Sequence, residues 1–370
     1  MGSYLLYNNN PQFQFNSLVA IGNPIIDISA EVSEETITKF DLKWGQTVFA
    51  NEKNLPLFEE LENKKDVSYI PGGSIQNTMR VCSWVLKQQN LKNNFKLTML
   101  GCVGDDKYGK KIIDALKENG VVPLFQNVEN IQTSRCGVGI YKKERCLVPQ
   151  ILASNKLTKN FVEENMNEIL NHDCLIIEAY FLQECFEICL NLVEEFKKKN
   201  KIIMFTLGAV FMLEFHNEKM MTIANKCDFI IGNMEEAFAL INNDKNGKKV
   251  IVKEGTKDYK LVFEIFHKKM EKNNKRIAII TDDSNGVICS KYNYDKNQLE
   301  FIIESFPEKI EENEIIDSNG AGDSFLGGFL SQLMIGKDLL HCSKMGNICG
   351  GINLRNVGCT FDKYNKINFD

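Results

Sequence analysis

The sequence lacks the features of membrane and secreted proteins. No apolar run approaches the roughly 20 residues of a membrane-spanning helix, and the polar, Asn-rich N-terminal segment has no apolar core of a signal peptide. Charge of one sign is also missing, because 49 Asp and Glu face 44 Lys and Arg. A protein built to bind nucleic acid or a membrane surface is therefore not expected. We predict a cytoplasmic protein that acts on small molecules.

Metal-binding and disulfide patterns are missing as well. The twelve cysteines are scattered through apolar stretches, and none of them forms a C-x-x-C pair. The four histidines have no metal-ligand spacing. In a chain with no secretory signal, this number of cysteines is typical of reduced thiols in the cytosol. Neither a disulfide-built fold nor a zinc knuckle is expected.

What the chain does contain is an alternation of helices with short apolar strands. This alternation predicts a mainly parallel sheet with helices on both faces, in which ligands bind at the carboxyl ends of the strands. Asp27, Asn233 and Thr281 each follow a predicted strand, so they could share that edge. In chain order, the predicted elements beyond residue 152 are helix 158–171, strand 174–178, helix 182–199, strand 201–206, helix 211–226, strand 228–231, helix 259–272 and strand 277–281.

The segment from Asp317 to Phe325 reads DSNGAGDSF. Its small residues form a turn, and apolar residues at three- and four-residue steps then predict a helix. A turn of this kind exposes unpaired backbone N–H groups and the positive end of the helix dipole, which together bind anions. Asp323 in the first helical turn adds a carboxylate, so the pair suggests phosphoryl transfer to a hydroxyl. Taken alone, however, a plain turn with a capping Asp is the favoured interpretation.

Three other motifs carry weaker signals. Gly72-Gly73 opens a helix predicted at 74–87, where backbone could approach a ligand closely. Asn233-x-x-Glu236 is either a capping box or a pair that orients magnesium-bound water, and spacing does not separate the two. Residues 104–110 begin like a P-loop, but Lys111 stands where a Ser or Thr should bind magnesium, so we interpret this segment as structural.

Several of these motifs, in this order, resemble the ribokinase-like (PfkB) family of sugar and nucleoside kinases. The most specific match is Asp317-x-x-Gly320-Ala321-Gly322-Asp323, which is joined by Gly72-Gly73 and Asn233-x-x-Glu236. Within that family, the adenosine kinases are the group that the sequence resembles most. The stretches that carry this second resemblance are residues 22–29, 72–77, 314–323, 327–333 and 358–361.

The resemblance implies a three-layer α/β/α fold with a mainly parallel central sheet and a small β-rich lid. The large domain would comprise residues 1–28, 71–128 and 153–370, and the lid residues 29–70 and 129–152. It implies a monomeric enzyme that transfers the ATP γ-phosphate to the 5′-hydroxyl of adenosine, giving AMP and ADP, with Mg²⁺ as cofactor.

One alternative function stays open, and the sequence disfavours two others. A kinase for another nucleoside or sugar would share the fold, and the base pocket would distinguish it. A catalytically inactive binding relative is disfavoured because Asp323 and the whole anion turn are present. An NAD(P)-linked dehydrogenase is disfavoured because no early strand is followed by G-x-G-x-x-G.

The resemblance also implies roles for individual residues. Asp323 would be the general base, and the backbone N–H groups beside it would stabilise charge on the transferring phosphoryl group. Asp27 would bind the ribose hydroxyls. The catalytic candidates are Asp323, Gly320, Ala321 and Gly322. The nucleoside-binding candidates are Asp27, Asn23, Gly72, Gly73, Ser74, Asn77, Ile25, Gln46, Leu147, Tyr180 and Phe181. The ATP-binding candidates are Arg145, Asn233, Thr281, Asn319 and Asn347, and Asn233 and Glu236 would organise Mg²⁺ through water.

Overall fold

The computed structural model describes residues 13–45, 47–91, 94–141, 144–242, 255–361 and 366–367 of the chain. Within them, no helix is long and apolar enough to cross a membrane. The strands are β1 Ser17–Ile21, β2 Ile25–Glu31, β3 Ser68–Gly72, β4 Lys96–Gly104, β5 Val122–Val128, β6 Arg135–Tyr141, β7 Glu144–Gln150, β8 Cys174–Glu178, β9 Ile202–Thr206, β10 Phe229–Asn233, β11 Ile277–Thr281, β12 Val287–Asn293 and β13 Gln298–Ser305.

The helices follow the same numbering along the chain. They are α1 Glu34–Lys39, α2 Pro56–Glu62, α3 Ser74–Gln88, α4 Lys107–Asn119, α5 Lys159–Glu164, α6 Met166–Ile169, α7 Leu182–Lys198, α8 Val210–Phe215, α9 Asn217–Ala224, α10 Met234–Asn242, α11 Tyr259–Lys269, α12 Ala321–Met334 and α13 Leu339–Leu354.

A nine-stranded sheet forms the centre of the molecule, in the order β13-β12-β11-β10-β9-β8-β1-β4-β5. Its strands are parallel from β11 to β5, and β12 and β13 add an antiparallel hairpin at one edge. Every residue of β1 is buried, as expected for a parallel strand covered on both faces. Alternate residues of β1 supply two cores, with Leu18 and Ala20 on one side and Val19 and Ile21 on the other.

Helices cover both faces of this sheet, which confirms the three-layer α/β/α prediction. The core on one face includes apolar residues of α3, α4, α12 and α13. The core on the other face includes those of α5 to α11. The mainly parallel sheet and its position between two helical layers are therefore the part of the fold that the alternating sequence pattern correctly predicts.

A second, four-stranded sheet has the order β3-β2-β6-β7. The chain passes between the large sheet and this small sheet four times, and its first passage is the three-residue segment Gly22-Asn23-Pro24, between β1 and β2. It returns through Gly73, between β3 and α3. These two crossings lie in contact, because a Cβ atom on Gly73 would stand 2.5 Å from the Asn23 carbonyl oxygen. The junction of the two sheets is therefore a narrow place where polar residues from both sheets meet.

Several predicted elements differ from the structure. The predicted helix 158–171 is two short helices, α5 and α6, separated at Asn165, whose side-chain amide bonds back to the Phe161 carbonyl. The predicted helix 211–226 is likewise divided at His216. Asp27 does not follow a strand in a loop or turn but lies within β2, because the chain starts a new strand directly after Pro24. The hairpin β12–β13 and helix α13 were not predicted.

Candidate active site

The glycine-rich turn at the start of α12 is built by a set of buried polar contacts. Gly320 has φ +79°, a left-handed conformation that glycine adopts without strain. The Asp317 carboxylate accepts hydrogen bonds from the backbone N–H groups of Asn319, at 3.1 Å, and Gly358, at 2.6 Å. Asn353 donates to the Asn319 carbonyl at 2.8 Å. Since α12 begins at Ala321, the first N–H groups of the helix have no partner within it. Beside Gly322, an added Cβ would meet no atom of the described residues within 4 Å, apart from its chain neighbours and its own helix backbone.

Asp323 lies in the first turn of α12 and is held from α3. Its carboxylate accepts hydrogen bonds from the Ser74 hydroxyl, at 2.7 Å, and the Asn77 amide, at 3.0 Å. Thr78 also donates to the Asp323 carbonyl oxygen. Burial raises the pKa of Asp323 above its ordinary value, although the bonds from Asn77 and Ser74 oppose the shift. The carboxylate is therefore fixed in orientation and more basic than an exposed Asp.

Asp27 reaches the same region from β2. Gly72 lies two residues along β3 from Ile70, the partner of Asp27 in the register of β2 and β3, and a Cβ on Gly72 would overlap the Asp27 carboxylate. Glycine is needed at the next position too, because Gly73 has φ +88° and lies against the Asn23 backbone. The Oδ1 atom of Asn23 is buried and has no hydrogen-bond partner among the described residues. Asn23, Asp27, Gly72 and Gly73 thus come together at the junction of the sheets.

Two arginines face Asp27. Burial raises the pKa of Asp27 to about 7, and the positive charges of Arg145 and Arg80 oppose this shift without cancelling it. Arg80, on α3, donates to the Pro71 carbonyl oxygen at 2.9 Å and is almost completely buried. The sequence analysis did not find Arg80. It lies on the buried face of α3 at helical spacing from Asn77, but spacing alone does not show that a basic residue is buried beside an acid.

Arg145 connects the two sheets. It lies in β7 of the small sheet and forms an ion pair of 3.1 Å with Asp317, which precedes α12. Both side chains are at most one-tenth exposed. The predicted phosphate-binding arginine is therefore beside the anion turn, although the partner that it contacts is a carboxylate of that turn.

Glu178 is a further buried carboxylate that sequence analysis missed. It ends β8 and is 2% exposed. Its two oxygens accept from the backbone N–H groups of Asn23, at 2.9 Å, and Ile75, at 3.4 Å. Burial raises its pKa to about 7, and the negative charge of Asp323 adds to the shift. The only available signal was an acidic residue that ends an otherwise apolar strand.

Asn233 and Glu236 form a reciprocal capping box at the start of α10. The Asn233 Oδ1 atom accepts from the Glu236 backbone N–H at 2.8 Å, while the Glu236 carboxylate accepts from the Asn233 backbone N–H and side-chain amide, both at 3.0 Å. Asn233 pairs in register with Thr281, and each ends its strand. Burial raises the pKa of Glu236 to about 7. The capping interpretation therefore holds, and it leaves a buried carboxylate at the carboxyl end of the sheet.

Two candidates for the base pocket, Tyr180 and Phe181, come directly after β8. Tyr180 donates its hydroxyl to the Gly208 carbonyl at 2.7 Å and lies beside Phe211, which in turn contacts Phe49. Phe181, in contrast, is 1% exposed and belongs to the core between the large sheet and helices α5 to α11. Tyr180 is therefore the ring of this pair that is available to a ligand.

The remaining predicted site residues are placed as follows. Ile25 is opposite Gly72 in the small sheet. Leu147, in β7, bridges to Thr47, and Gln46 lies outside the described residues. Asn347, on α13, donates to Ser305 at the end of β13. The P-loop-like segment is structural, because Asp106 caps the N-terminus of α4.

The family model described as pfkB family carbohydrate kinase matches residues 35–366. An adenosine kinase of Dictyostelium discoideum is 30% identical over 354 residues, covering 93% of this chain and 96% of the relative.

Solved structures give the same relationship. The crystal structure of Anopheles gambiae adenosine kinase in complex with P1,P4-di(adenosine-5) tetraphosphate is 29% identical, with a TM-score of 0.78, and the match covers 92% of this chain and 96% of that one. The Trypanosoma brucei brucei enzyme without ligand is 26% identical, with a TM-score of 0.81 and coverage of 92% and 99%. The resemblance seen in short motifs thus extends over nearly the whole chain.

Proposed function

The chain belongs to the pfkB family of carbohydrate kinases, and on that premise we propose that it transfers the γ-phosphate of ATP to the 5′-hydroxyl of adenosine, giving AMP and ADP. The family makes it a phosphotransferase that acts on a hydroxyl group. The proposed substrate is supported by adenosine kinases that match this chain over more than nine-tenths of its length.

The hydrogen-bonding state of the site's polar groups favours a substrate that carries a ribose. Asp323 is already held by two donors, Ser74 and Asn77. Among the described residues, the buried Asn23 Oδ1 atom has no donor, and the groups that oppose the raised pKa of Asp27 are charges rather than hydrogen bonds. Two acceptors that need donors fit a pair of vicinal hydroxyls, because an unpaired buried acceptor is costly until a ligand supplies the donor.

In the proposed reaction, Asp323 is the general base. As the 5′-oxygen bonds to the γ-phosphorus, the hydroxyl proton passes to the Asp323 carboxylate and the bond from that phosphorus to the ADP oxygen breaks. A raised pKa suits this role, since a more basic carboxylate accepts the proton more readily. The unpaired N–H groups at the start of α12 would stabilise charge on the phosphoryl oxygens as it moves. Ser74 and Asn77 would keep the carboxylate pointed at the hydroxyl.

The donor set fits Mg²⁺ held through water. Among the described residues, no group of three or more His, Cys, Asp or Glu side chains could hold a metal ion. Mg²⁺ commonly keeps several waters and binds through one or two carboxylates and the substrate phosphates, so no such group is required. Glu236 and Asn233 would hold these waters, and a nearby cation would favour the ionised form of Glu236. The metal would neutralise charge on the ATP phosphates.

We also propose that the small sheet is a lid over the junction. Contacts that join it to the large domain beside the site include the Arg145–Asp317 ion pair and the Phe49–Phe211 ring contact, 6.2 Å between ring centroids. Away from these, Glu62 of α2 contacts Lys107 and Tyr108 of α4. On closure, Arg145 would contact the phosphates of ATP. We retain the division into a large domain and a lid, but propose that the first lid segment runs from Ile25 to Gly72, because the predicted boundaries would cut β2 and β3. The monomeric state and the cytoplasmic location also stay proposals, and light scattering of the purified chain would test the monomeric state.

The direct test is a MgATP assay with the purified chain against a panel of adenosine, inosine, guanosine, ribose and other sugars. We expect adenosine to have the highest kcat/KM, with AMP and ADP formed in equal amounts. A sugar or another nucleoside at the top of the panel would replace the substrate and keep the family activity. No phosphorylation of any compound would overturn the proposal.

A further inference from the structure

Glu178 is a buried carboxylate at the end of β8. One of its oxygens accepts from Asn23, in the crossing that carries the proposed ribose-binding residues. The other accepts from Ile75, in the first turn of α3, the turn that also presents Ser74 to Asp323. A Cβ atom on Gly22 would lie 2.5 Å from a Glu178 oxygen, so glycine at that position makes room for the carboxylate. Glu178 therefore contacts both the segment that carries Asn23 and the first turn of α3, which holds Asp323.

The position is also chemically suited to a carboxylate. Glu178 accepts from the N-terminal turn of α3, where a negative charge interacts favourably with the helix dipole. The charged and titratable groups that face it are Asp323, from α12, and Tyr180, which follows β8. Asp323 raises the pKa of Glu178, and Glu178 in turn contributes to the raised pKa of Tyr180. An apolar residue could fill the same space but would leave the N–H groups of Asn23 and Ile75 without partners.

A second carboxylate provides a matched comparison at the opposite end of the same strands. Asp173 directly precedes β8 and accepts from the backbone N–H groups of Asn16, at 3.0 Å, and Ser17, at 3.1 Å, where β1 begins. Burial opposes ionisation of Asp173, but hydrogen bonds from Ser17 and Asn16 lower its pKa below the ordinary value. Both carboxylates thus join β8 to residues at an end of β1. Only Glu178 does so at the carboxyl edge, where the site lies.

We propose that Glu178 is a positioning residue for phosphoryl transfer, which fixes Asn23 against the ribose and the start of α3 against the base Asp323. The inference rests on the proposed function, because it takes the nucleoside as the ligand of Asn23. Glu178 itself contacts neither substrate. It acts through two backbone N–H groups that a single ionised carboxylate can satisfy together.

Glu178→Gln tests this role with little change in shape. A carboxamide has one acceptor oxygen, so one of the two N–H groups would face an NH₂ donor. We expect the KM for adenosine to rise roughly tenfold, as for the loss of one hydrogen bond to a charged group, while the KM for ATP stays within about twofold, since ATP binds elsewhere in the site. Asp173→Asn is the control, and we expect it to leave both KM values unchanged even where it lowers Tm.

The dependence of KM on pH separates positioning from general support of the fold. In the wild-type chain, Asp27 and Glu178 both have a pKa of about 7 and both act when ionised, so the KM for adenosine should rise as pH falls through this range. In Glu178→Gln only Asp27 still titrates, and the rise should become shallower. Asp173→Asn should keep the wild-type profile.

Backbone amide exchange provides a readout without activity. Glu178→Gln should accelerate exchange at Asn23 or Ile75 and leave Asn16 and Ser17 unchanged, and Asp173→Asn should do the reverse. If the wild-type chain phosphorylates adenosine and Glu178→Gln keeps its KM, its pH profile and its amide protection, the inference is overturned alone. If the wild-type chain phosphorylates no nucleoside, the proposed function is overturned and this inference with it.

Discussion

Replacement of Asp27 by Asn should stabilise the chain at pH 8 and weaken its binding of adenosine. Burial raises the pKa of Asp27 from its ordinary 3.8 to about 7, and this value already includes the opposing charges of Arg145 and Arg80. The ionised carboxylate therefore destabilises the folded protein that has no ligand. Asn has nearly the same shape and carries no charge, so the substitution removes this destabilisation without leaving a cavity.

The size of the effect follows from the shift. A change in pKa from 3.8 to about 7 corresponds to about 4 kcal/mol against the ionised form. Because solvent reaches part of Asp27, we expect roughly half of this, about 2 kcal/mol. A gain of this size would raise Tm by a few degrees in a chain of this length.

The dependence on pH gives the sign of the effect. Because the pKa of Asp27 is higher in the folded state, Asp27 does not destabilise the fold below pH 3.8, where it is protonated in both states. The free energy of unfolding then falls as pH rises from 3.8 to about 7. The advantage of Asp27→Asn should therefore be largest at pH 8 and well under half as large at pH 5. Differential scanning calorimetry at the two pH values, with and without adenosine, measures it. Adenosine should raise Tm for the wild-type chain and much less for the variant.

Two results would refute this reasoning. If Asp27→Asn unfolds at a lower temperature than the wild-type chain at pH 8, the attraction of Arg80 and Arg145 outweighs burial. If the variant binds adenosine with unchanged affinity, Asp27 is not part of the nucleoside site.

Three further predictions concern the anion turn and its neighbours. Asp323→Asn should lower kcat by at least roughly a thousandfold, while adenosine still raises Tm; normal turnover would remove Asp323 as the base. Because the pKa of Asp323 is raised above its ordinary 3.8 and the ionised form accepts the proton, kcat of the wild-type chain should fall as pH decreases, and a kcat that stays constant down to pH 3.8 would contradict this. Gly73→Ala should lower stability by roughly 1–3 kcal/mol, because an L residue at φ +88° is strained and its Cβ would lie 2.5 Å from the Asn23 carbonyl oxygen. Gly322→Ala is the control, because its Cβ would meet no described residue outside its own helix turn within 4 Å, and equal losses in urea unfolding would count against the argument.

The large sheet could be predicted because parallel strands have a strong local signature. Strands such as β8, with five consecutive buried residues, appear in the sequence as short apolar runs between helices. The start of α12 could be predicted for the same reason, since glycines and a helical pattern are local. The hairpin β12–β13 was missed because its strands mix apolar residues with Lys, Glu and Asn, so that neither period stands out.

The polar network of the site could be predicted only in part. Asp323, Asn77 and Ser74 were all candidates, but the sequence did not show that the last two bind the first. Glu178 and Arg80 were missed because a buried charge leaves no pattern along the chain; it is recognised by its partners, which lie 155 and 103 residues away from Glu178. Contacts of that separation are a property of the folded chain.

Because all twelve cysteines are buried, their reactivity towards thiol reagents reports unfolding of the protein. Each thiol is free and buried, and burial raises the pKa of thiols in both sheets, as for Cys136 in β6 and Cys174 in β8. A reagent that attacks thiolates should therefore react slowly with the native chain and only after local or global opening. Labelling followed by peptide mass analysis would time the opening of the small sheet, through Cys136 and Cys146, separately from that of the large one, through Cys174. The native sequence thus needs no added probe to show which sheet opens first.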